Sequence, residues 1–446
     1  MTPVPQDASR EERAAEMRAA ARSIFRDVLA ECSIARAFER QVECRRGVLR
    51  IADDLHNLDA YGRVLVLSMG KAAHAMVEAL TREVGGRGEG IVAGGTDPAS
   101  QVAGFRYFRG GHPLPNAESL AAASAMLRTL EAQKEDALVL YMISGGASAL
   151  VEKPIDDDIS LADLISTYQA LVHSGAPIAE INAIRKHLSA VKGGRMARAA
   201  REAQQVSILI SDVPANAPDA LASGPTMPDS TTCEDCYRIA REYGMLEKFP
   251  ASVRELFEQH ALEETPKADG AVFRRSRWWP ILSSTTAERA AVESAKQAGF
   301  AVEVDNRCDD WDYARAADHL LARAKELRRA SERVCIVSAG EVTVRVGAES
   351  GTGGRNQQFA LYCATKIAGQ NITVLSAGTD GTDGNSTAAG AIADGTTLAR
   401  AKQRGLDVAR AVERFDAFPV LEALGDAVIT GPTGTNVRDV RVLMAW

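Results

Sequence analysis

The sequence predicts an α/β fold in two domains, with buried strands alternating with helices. Three observations lead there. Six short runs rich in Val, Ile and Leu, at 64–68, 138–144, 208–211, 281–283, 335–338 and 372–376, each end in Ser before small or turn-forming residues. Short continuous apolar runs are the pattern of strands covered on both faces. Helical stretches lie between most of them, at 71–82, 117–132 and 287–298, and strand, small-residue turn, helix is the grammar of a parallel sheet. The polar stretch 263–270, Glu-Glu-Thr-Pro-Lys-Ala-Asp-Gly, reads as a linker and sets the expected domains at 1–265 and 266–446. At roughly 150 residues per domain, a chain of 446 residues suits two or three. No close internal repeat is visible.

The first expected element is a helix. Ser9 and Glu12 spell a capping box, and an Ala- and Arg-rich stretch follows to about residue 30. The first strand run ends in Ser68-Met-Gly70-Lys71. Gly70 permits a tight turn, and Lys71 then falls at a helix N-terminus, where a cation opposes the dipole unless a phosphate bridges both. Read alone, Lys71 is equally an exposed lysine at a helix start. It is not a Walker A lysine, because Ala72 stands where Ser or Thr is required. The second run ends in Ser144-Gly145-Gly146-Ala-Ser148, a candidate backbone nest for phosphate or a plain tight turn. It misses the hydrolase nucleophile elbow, since Leu150 replaces the last Gly. From Ile181 to Arg201 there is no acid and there are six Lys or Arg, which reads as a cationic patch holding His187, Lys192 and Arg195 or as the solvated face of a helix. The third run ends in Ser211-Asp212, and a carboxylate at a strand end suits magnesium or a proton. Asp219 reads as a cap or turn residue.

In the C-terminal part, Glu341 follows the run at 335–338, and Gly353-Gly354-Arg355 lies in a loop that suits the presentation of an arginine. Asn356 stands where a dinucleotide fingerprint needs its third Gly. The last run leads into Gly378-Thr-Asp380-Gly-Thr-Asp383-Gly384, and its two aspartates read as magnesium ligands or as Asx turns. Lysine, glycine nests, an arginine and loop aspartates are together what phosphoryl transfer requires, since that reaction rests on positioning and charge neutralisation.

Composition narrows the partners. A formal net charge of -7 argues against nucleic acid and anionic membranes. Seven scattered cysteines fit a reducing compartment, and no second pair or nearby His in the sequence completes a metal site with Cys233 and Cys236. The first residues carry Asp7, Glu11 and Glu12 and no apolar core, so no signal peptide is expected. No run approaches the ~18 apolar residues of a membrane span. A cytoplasmic enzyme is expected.

The motifs S-M-G-K-A, G-G-H-P-L-P at 110–115, S-G-G-A-S-A-L, N-x-x-R-K-H-L-S-x-V-K-G-G-R, S-D-V, S-G-P-T, G-T-G-G-R-N-Q and A-G-T-D-G-T-D-G occur in this order. Together they resemble the glycerate 2-kinases of the MOFRL-containing type, from about residue 20 to the C-terminus. The resemblance implies an N-terminal Rossmann-like parallel sheet flanked by helices, a smaller C-terminal α/β domain, and an active site in the interdomain cleft. It implies ATP as co-substrate, magnesium or manganese, and D-glycerate as the acceptor. It puts Lys71 and Arg355 at the centre of catalysis. By type and position, Gly70, Ser144, Gly145, Gly146, Ser148, Gly353 and Gly354 are expected to hold ATP. His187, Lys192 and Arg195 are expected on the glycerate, Asp212 as proton acceptor, and Asp212, Asp380 and Asp383 on the metal, with Glu341 a weaker candidate there. Two rivals remain: a nicotinamide-dependent hydroxypyruvate reductase and a non-catalytic sensor of phosphorylated acids. Oligomeric state is left open, a homodimer included.

Overall fold

The computed structural model describes residues 6–214, 216–347 and 350–446, with side chains from Arg10 onward. It divides into two compact units, Ala37–Ile281 on the one hand and Met1–Arg36 with Leu282–Trp446 on the other.

The unit Ala37–Ile281 opens with a three-stranded antiparallel meander over Val42–Arg45, Val48–Ile51 and Asp54–Asn57. Its main sheet has six strands: β1 (Arg63–Met69), β2 (Glu89–Gly94), β3 (Phe105–Arg109), β4 (Ala137–Ile143), β5 (Gln204–Ile210) and β6 (Ser276–Leu282). They lie in the order β3-β2-β1-β4-β5-β6, and the pairings β3·β2, β2·β1, β1·β4 and β4·β5 are parallel. This is the strand order of the dinucleotide-binding fold. The chain runs outward from β1 to β3, returns to the middle, and runs outward again from β4. The crevice at that reversal lies between the carboxyl ends of β1 and β4. All seven residues of β4 are buried, as a central parallel strand requires. Helix α1 is Gln6–Glu31, and α2, Ala73–Val84, follows β1. On α2, Ala73, Met76, Val77, Leu80 and Val84 form the apolar stripe laid on the sheet. A short helix α3 (Ala147–Leu150) follows β4, and α4 (Ile178–His187), α5 (Arg195–Ala199) and α6 (Cys233–Glu242) complete the frame of the site.

The other unit carries β7 (Ala301–Val304), β8 (Val334–Ala339), β9 (Ile372–Gly378), β10 (Gly390–Asp394), β11 (Ala427–Val428) and β12 (Asp439–Ala445). Their order is β7-β8-β12-β9-β10-β11. Only β7·β8 is parallel, and the other four pairings are antiparallel. The parallel grammar expected throughout therefore stops at this sheet, because β12 inserts between β8 and β9 in the opposite direction. Its first residue, Asp439, consequently stands at the carboxyl ends of its neighbours, opposite Gly378. Helices α7 (Ser284–Gln297) and α8 (Arg355–Ile367) pack on this sheet, as does α1.

The domain boundaries differ from the sequence expectation. The expected linker 263–270 lies inside Ala37–Ile281 and is tied down there. Glu263 pairs with Arg195 at 2.9 Å, and Thr265 is buried on Asp229 at 2.9 Å. Polar composition had hidden these partners, which come from other segments of the same unit. The N-terminal helix α1 belongs with the C-terminal unit, where Arg18 pairs with the buried Asp394. It begins at Gln6, before the expected capping box, and the Ser9 side chain of that box lies outside the described residues. Among the described residues no helix is long and apolar enough to cross a membrane, and all seven cysteines are free.

Candidate active site

The turn after β1 and the turn after β4 are built as one piece. Gly70 has φ +119°, and a Cβ there would lie 2.2 Å from Ser144 Oγ, so only glycine fits. The Lys71 amide donates to the Gly145 carbonyl at 2.9 Å, and the Ala72 amide donates to Ser144 Oγ at 3.0 Å. Ser144 is thus a buried brace between the two turns. That corrects its expected role as a phosphate ligand: its hydroxyl is used by the backbone. Gly145 and Gly146 are half-buried, as is Ser148 on α3, and Lys71 is exposed.

Asp212, after β5, closes in from the next strand. A Cβ on Gly145 would sit 2.0 Å from Asp212 Oδ2. The Lys71 stem and the His112 ring both flank Gly146. Lys71, the glycine pair and Asp212 therefore meet at the carboxyl ends of β1, β4 and β5, beside the reversal of strand order where such sheets bind ligands. His112 was not singled out from the sequence, although it sits in the G-G-H-P motif. Burial, and then the Lys71 charge, hold its pKa below the ordinary histidine value.

The expected cationic patch is not an open surface. Lys192 is 1% exposed and forms an ion pair with the fully buried Glu152. Glu152 also accepts from Ser189 Oγ at 2.6 Å and from Tyr168. Burial pushes the Lys192 ammonium down to about 7. Arg195 is buried and donates to Glu263 Oε1 at 2.9 Å and the Glu263 carbonyl at 2.8 Å. Lys186 joins Asp219 at 2.7 Å and Asp229 at 3.1 Å. His187 is fully buried. The sequence showed the cations together and their acids scattered, so Lys192, Arg195 and His187 read as a glycerate site. Folding pairs Lys192 with Glu152 and Arg195 with Glu263 and buries His187, and the expectation is corrected accordingly.

A second set of candidates gathers in the other unit. Arg355 is the first residue of α8. Its Nε and Nη2 donate to Asp439 at 2.6 and 3.1 Å, and Nη2 lies 2.8 Å from Glu341 Oε1. Burial works against the guanidinium charge, but the two acids prevail and raise its pKa. Glu341 is pushed up by burial and by Asp439. Arg355 lines a pocket of about 470 Å³ with Gly353, Gly354, Asp380, Thr382 and Asn385. The glycine loop is fastened by its own bonds, Gly353 N–H donating to Asn385 Oδ1 at 2.8 Å. Asp380 is half-buried in an Asx turn, its Oδ1 3.1 Å from the Thr382 amide.

Asp383 departs from its expected role. It is 3% exposed, and both its oxygens accept from the first turn of α8: Oδ1 from the Asn356 amide at 3.1 Å, Oδ2 from the Gln357 amide at 2.9 Å. The Asn356 and Gln357 side chains add 3.2 and 2.9 Å contacts. It anchors the helix that bears Arg355 rather than offering lone pairs to a metal. Asp439 had no sequence signal at all, since it lies 84 positions from Arg355 within an apolar strand.

A family model described as a domain of unknown function, DUF4147, matches residues 20–258, and the MOFRL family model matches residues 334–439. A Thermotoga maritima protein named D-glycerate 2-kinase is 34% identical over 86% of this chain and 90% of its own length. The chain belongs to the glycerate 2-kinase family. An Agrobacterium vitis relative with a provisional hydroxypyruvate reductase name is 36% identical over 95% of this chain and 96% of its own. The crystal structure of the Thermotoga maritima glycerate kinase superposes with a TM-score of 0.85 at 31% identity, covering 97% of this chain and all of that one.

Proposed function

We propose that this chain transfers the γ-phosphoryl group of ATP to D-glycerate and yields 2-phosphoglycerate. The observation that carries the reading is the joint turn at the strand reversal, where an exposed Lys71, the Gly145–Gly146 pair and Asp212 meet. Phosphoryl transfer needs fixed positive charge and a positioned acceptor more than covalent chemistry. Lys71 and the half-buried Gly145, Gly146 and Ser148 bind phosphate oxygens. Arg355, aimed by Asp439 and Glu341, neutralises the charge that develops on the moving group. Asp212 takes the proton of the attacking hydroxyl, which becomes the bridging oxygen of the phosphate ester as the bond to ADP breaks.

A magnesium or manganese ion fits this set. Such ions keep several waters and need one or two carboxylates beside the phosphates. Asp380, half-buried in the Arg355 pocket, meets that requirement, as does Asp212 at the phosphate turn. When bound, the ion would offset phosphate charge.

The reductase name of one relative is answered by the turn itself. The strand order is that of a dinucleotide-binding fold, yet the β1 turn reads Ser68-Met-Gly-Lys71 instead of the glycine fingerprint that a pyrophosphate needs. The test pairs two assays on the purified chain. ADP release with ATP and D-glycerate is expected, with phosphorus NMR identifying the 2-phosphate. NADH oxidation with hydroxypyruvate is expected to be at background. NADH turnover without ADP release would reverse the assignment.

A further inference from the structure

Outside that machinery, three side chains from distant segments converge in the unit Ala37–Ile281. His187 ends α4, Cys233 begins α6, and Glu264 lies in the polar stretch 263–270. One ligand-type atom from each lies within 4.8 Å of the others. The sequence offered only Cys233 and Cys236, with no histidine near them; the fold brings one from 46 positions upstream of Cys233.

His187 is the decisive member. It is fully buried, and its Nδ1 lies 2.8 Å from the Ala183 carbonyl one turn back. A carbonyl only accepts, so Nδ1 carries the proton and Nε2 presents a lone pair. Nε2 is buried and has no hydrogen-bond partner among the described residues. Glu264 Oε2 lies 3.8 Å from it; that oxygen is met by Lys267, but as an acceptor it gives Nε2 nothing. A carbonyl bond on the far ring nitrogen is also the arrangement that orients metal-binding histidines.

We propose that His187 Nε2, Cys233 Sγ and the Glu264 carboxylate form a binding site for a divalent ion of the zinc class, with solvent in the remaining position. Nitrogen, sulfur and carboxylate donors together suit zinc, whereas magnesium and calcium prefer oxygen throughout. The Glu264 Oε1 also accepts the Cys233 amide at 2.6 Å, which holds two of the three ligands in one frame. Glu264 is exposed and Cys233 half-buried, so an ion has a path from solvent. The Cys233 thiol donates to the Leu262 carbonyl at 3.4 Å. Binding therefore releases the thiol proton to water as the metal–sulfur bond forms. Lys267 Nζ, 2.8 Å from Glu264 Oε2, is the charge an incoming ion displaces. Its bonds to the Thr231 carbonyl and Thr265 Oγ1 remain to hold it. The loaded site cross-links α4, α6 and the stretch 263–270.

The test uses the untagged full chain, stripped with chelator and titrated with Co²⁺ in excess Mg²⁺. One Co²⁺ per chain is expected, with a near-ultraviolet thiolate-to-cobalt band that Zn²⁺ abolishes by displacement. Cys233→Ser is expected to lose the band and Glu264→Gln to weaken cobalt affinity by about tenfold or more. Cys236→Ser should keep both. These variants spare the buried His187, and their melting temperatures without metal verify folding. Absence of the band in the parent chain overturns the site. So does a band that survives Cys233→Ser, or one that depends on Cys236.

Discussion

Arg355 and Lys71 are both cations of the proposed reaction, yet substitution should affect them differently. Lys71 is exposed, so Lys71→Ala should lower kcat while moving stability by under about 0.5 kcal/mol. Arg355 holds the buried Asp439. Arg355→Ala should therefore lose on the order of 10³ or more in kcat and also about 1–3 kcal/mol of stability, because a buried carboxylate is left unpaired. Arg355→Ala with Asp439→Asn should regain stability and not activity. ADP release and denaturant midpoints measure both, and a folded Arg355→Ala enzyme within about tenfold of wild type, roughly 1.4 kcal/mol of barrier, would end the catalytic assignment. The buried Lys192 gives the opposite case. Lys192→Ala strands Glu152 and should cost about 3–5 kcal/mol. Its folded fraction should keep the wild-type KM for glycerate, and a selectively raised glycerate KM in stable protein would restore Lys192 to the substrate. In the sequence, Lys71 and Arg355 were singled out by their glycine-containing turns, and no local pattern showed that Arg355 has Asp439 and Glu341 as partners. Lys192 and Arg195 were misread because Glu152 and Glu263 are remote in the chain.

At the scale of the element, α8 connects packing to chemistry. Its N-terminus carries Arg355 on one side and is capped by Asp383 from the loop after β9. The two loop aspartates should thus separate on substitution. Asp380→Asn should raise the Mg²⁺ concentration for half-maximal activity, and Asp383→Asn should leave it unchanged. An Asp383→Asn enzyme with selectively weakened metal activation would return Asp383 to the metal. Burial raises the Asp383 carboxyl to about 6 from an ordinary 3.8. A raised acid pKa contributes stability that is fully present below pH 3.8 and is lost as pH rises through about 6. At about 1.4 kcal/mol per pKa unit, the change is at most about 3 kcal/mol. Denaturant midpoints of wild type and Asp383→Asn should therefore diverge least above pH 7 and shift in favour of wild type below pH 5. A difference that is flat with pH would remove the titration.

For the whole molecule, we propose that Lys71 and Arg355 both act in the phosphoryl-transfer step. Groups acting on one transition state lose activity non-additively, while independent sites add. The Lys71→Ala, Arg355→Ala double variant should fall less than the product of the two single losses. Full additivity would separate the two residues into different steps.

The sequence by itself determined the α/β class, the six serine-ended strands, the turns after them and the family. Local patterns carry that information: apolar runs of strand length, a lysine after a glycine, motifs in fixed order. Only the tertiary structure decided the direction of the C-terminal sheet, because β12 enters it from the chain's end. It alone placed α1 with the C-terminal unit and fastened the expected linker through Glu263 and Thr265. It alone showed that Asp383 is a cap, that Asp439 aims Arg355, and that His187 meets Cys233. The physical reason is the same each time. A charge's role depends on which opposite charge or donor folding brings beside it, and those partners lie tens to hundreds of positions away, outside any local pattern.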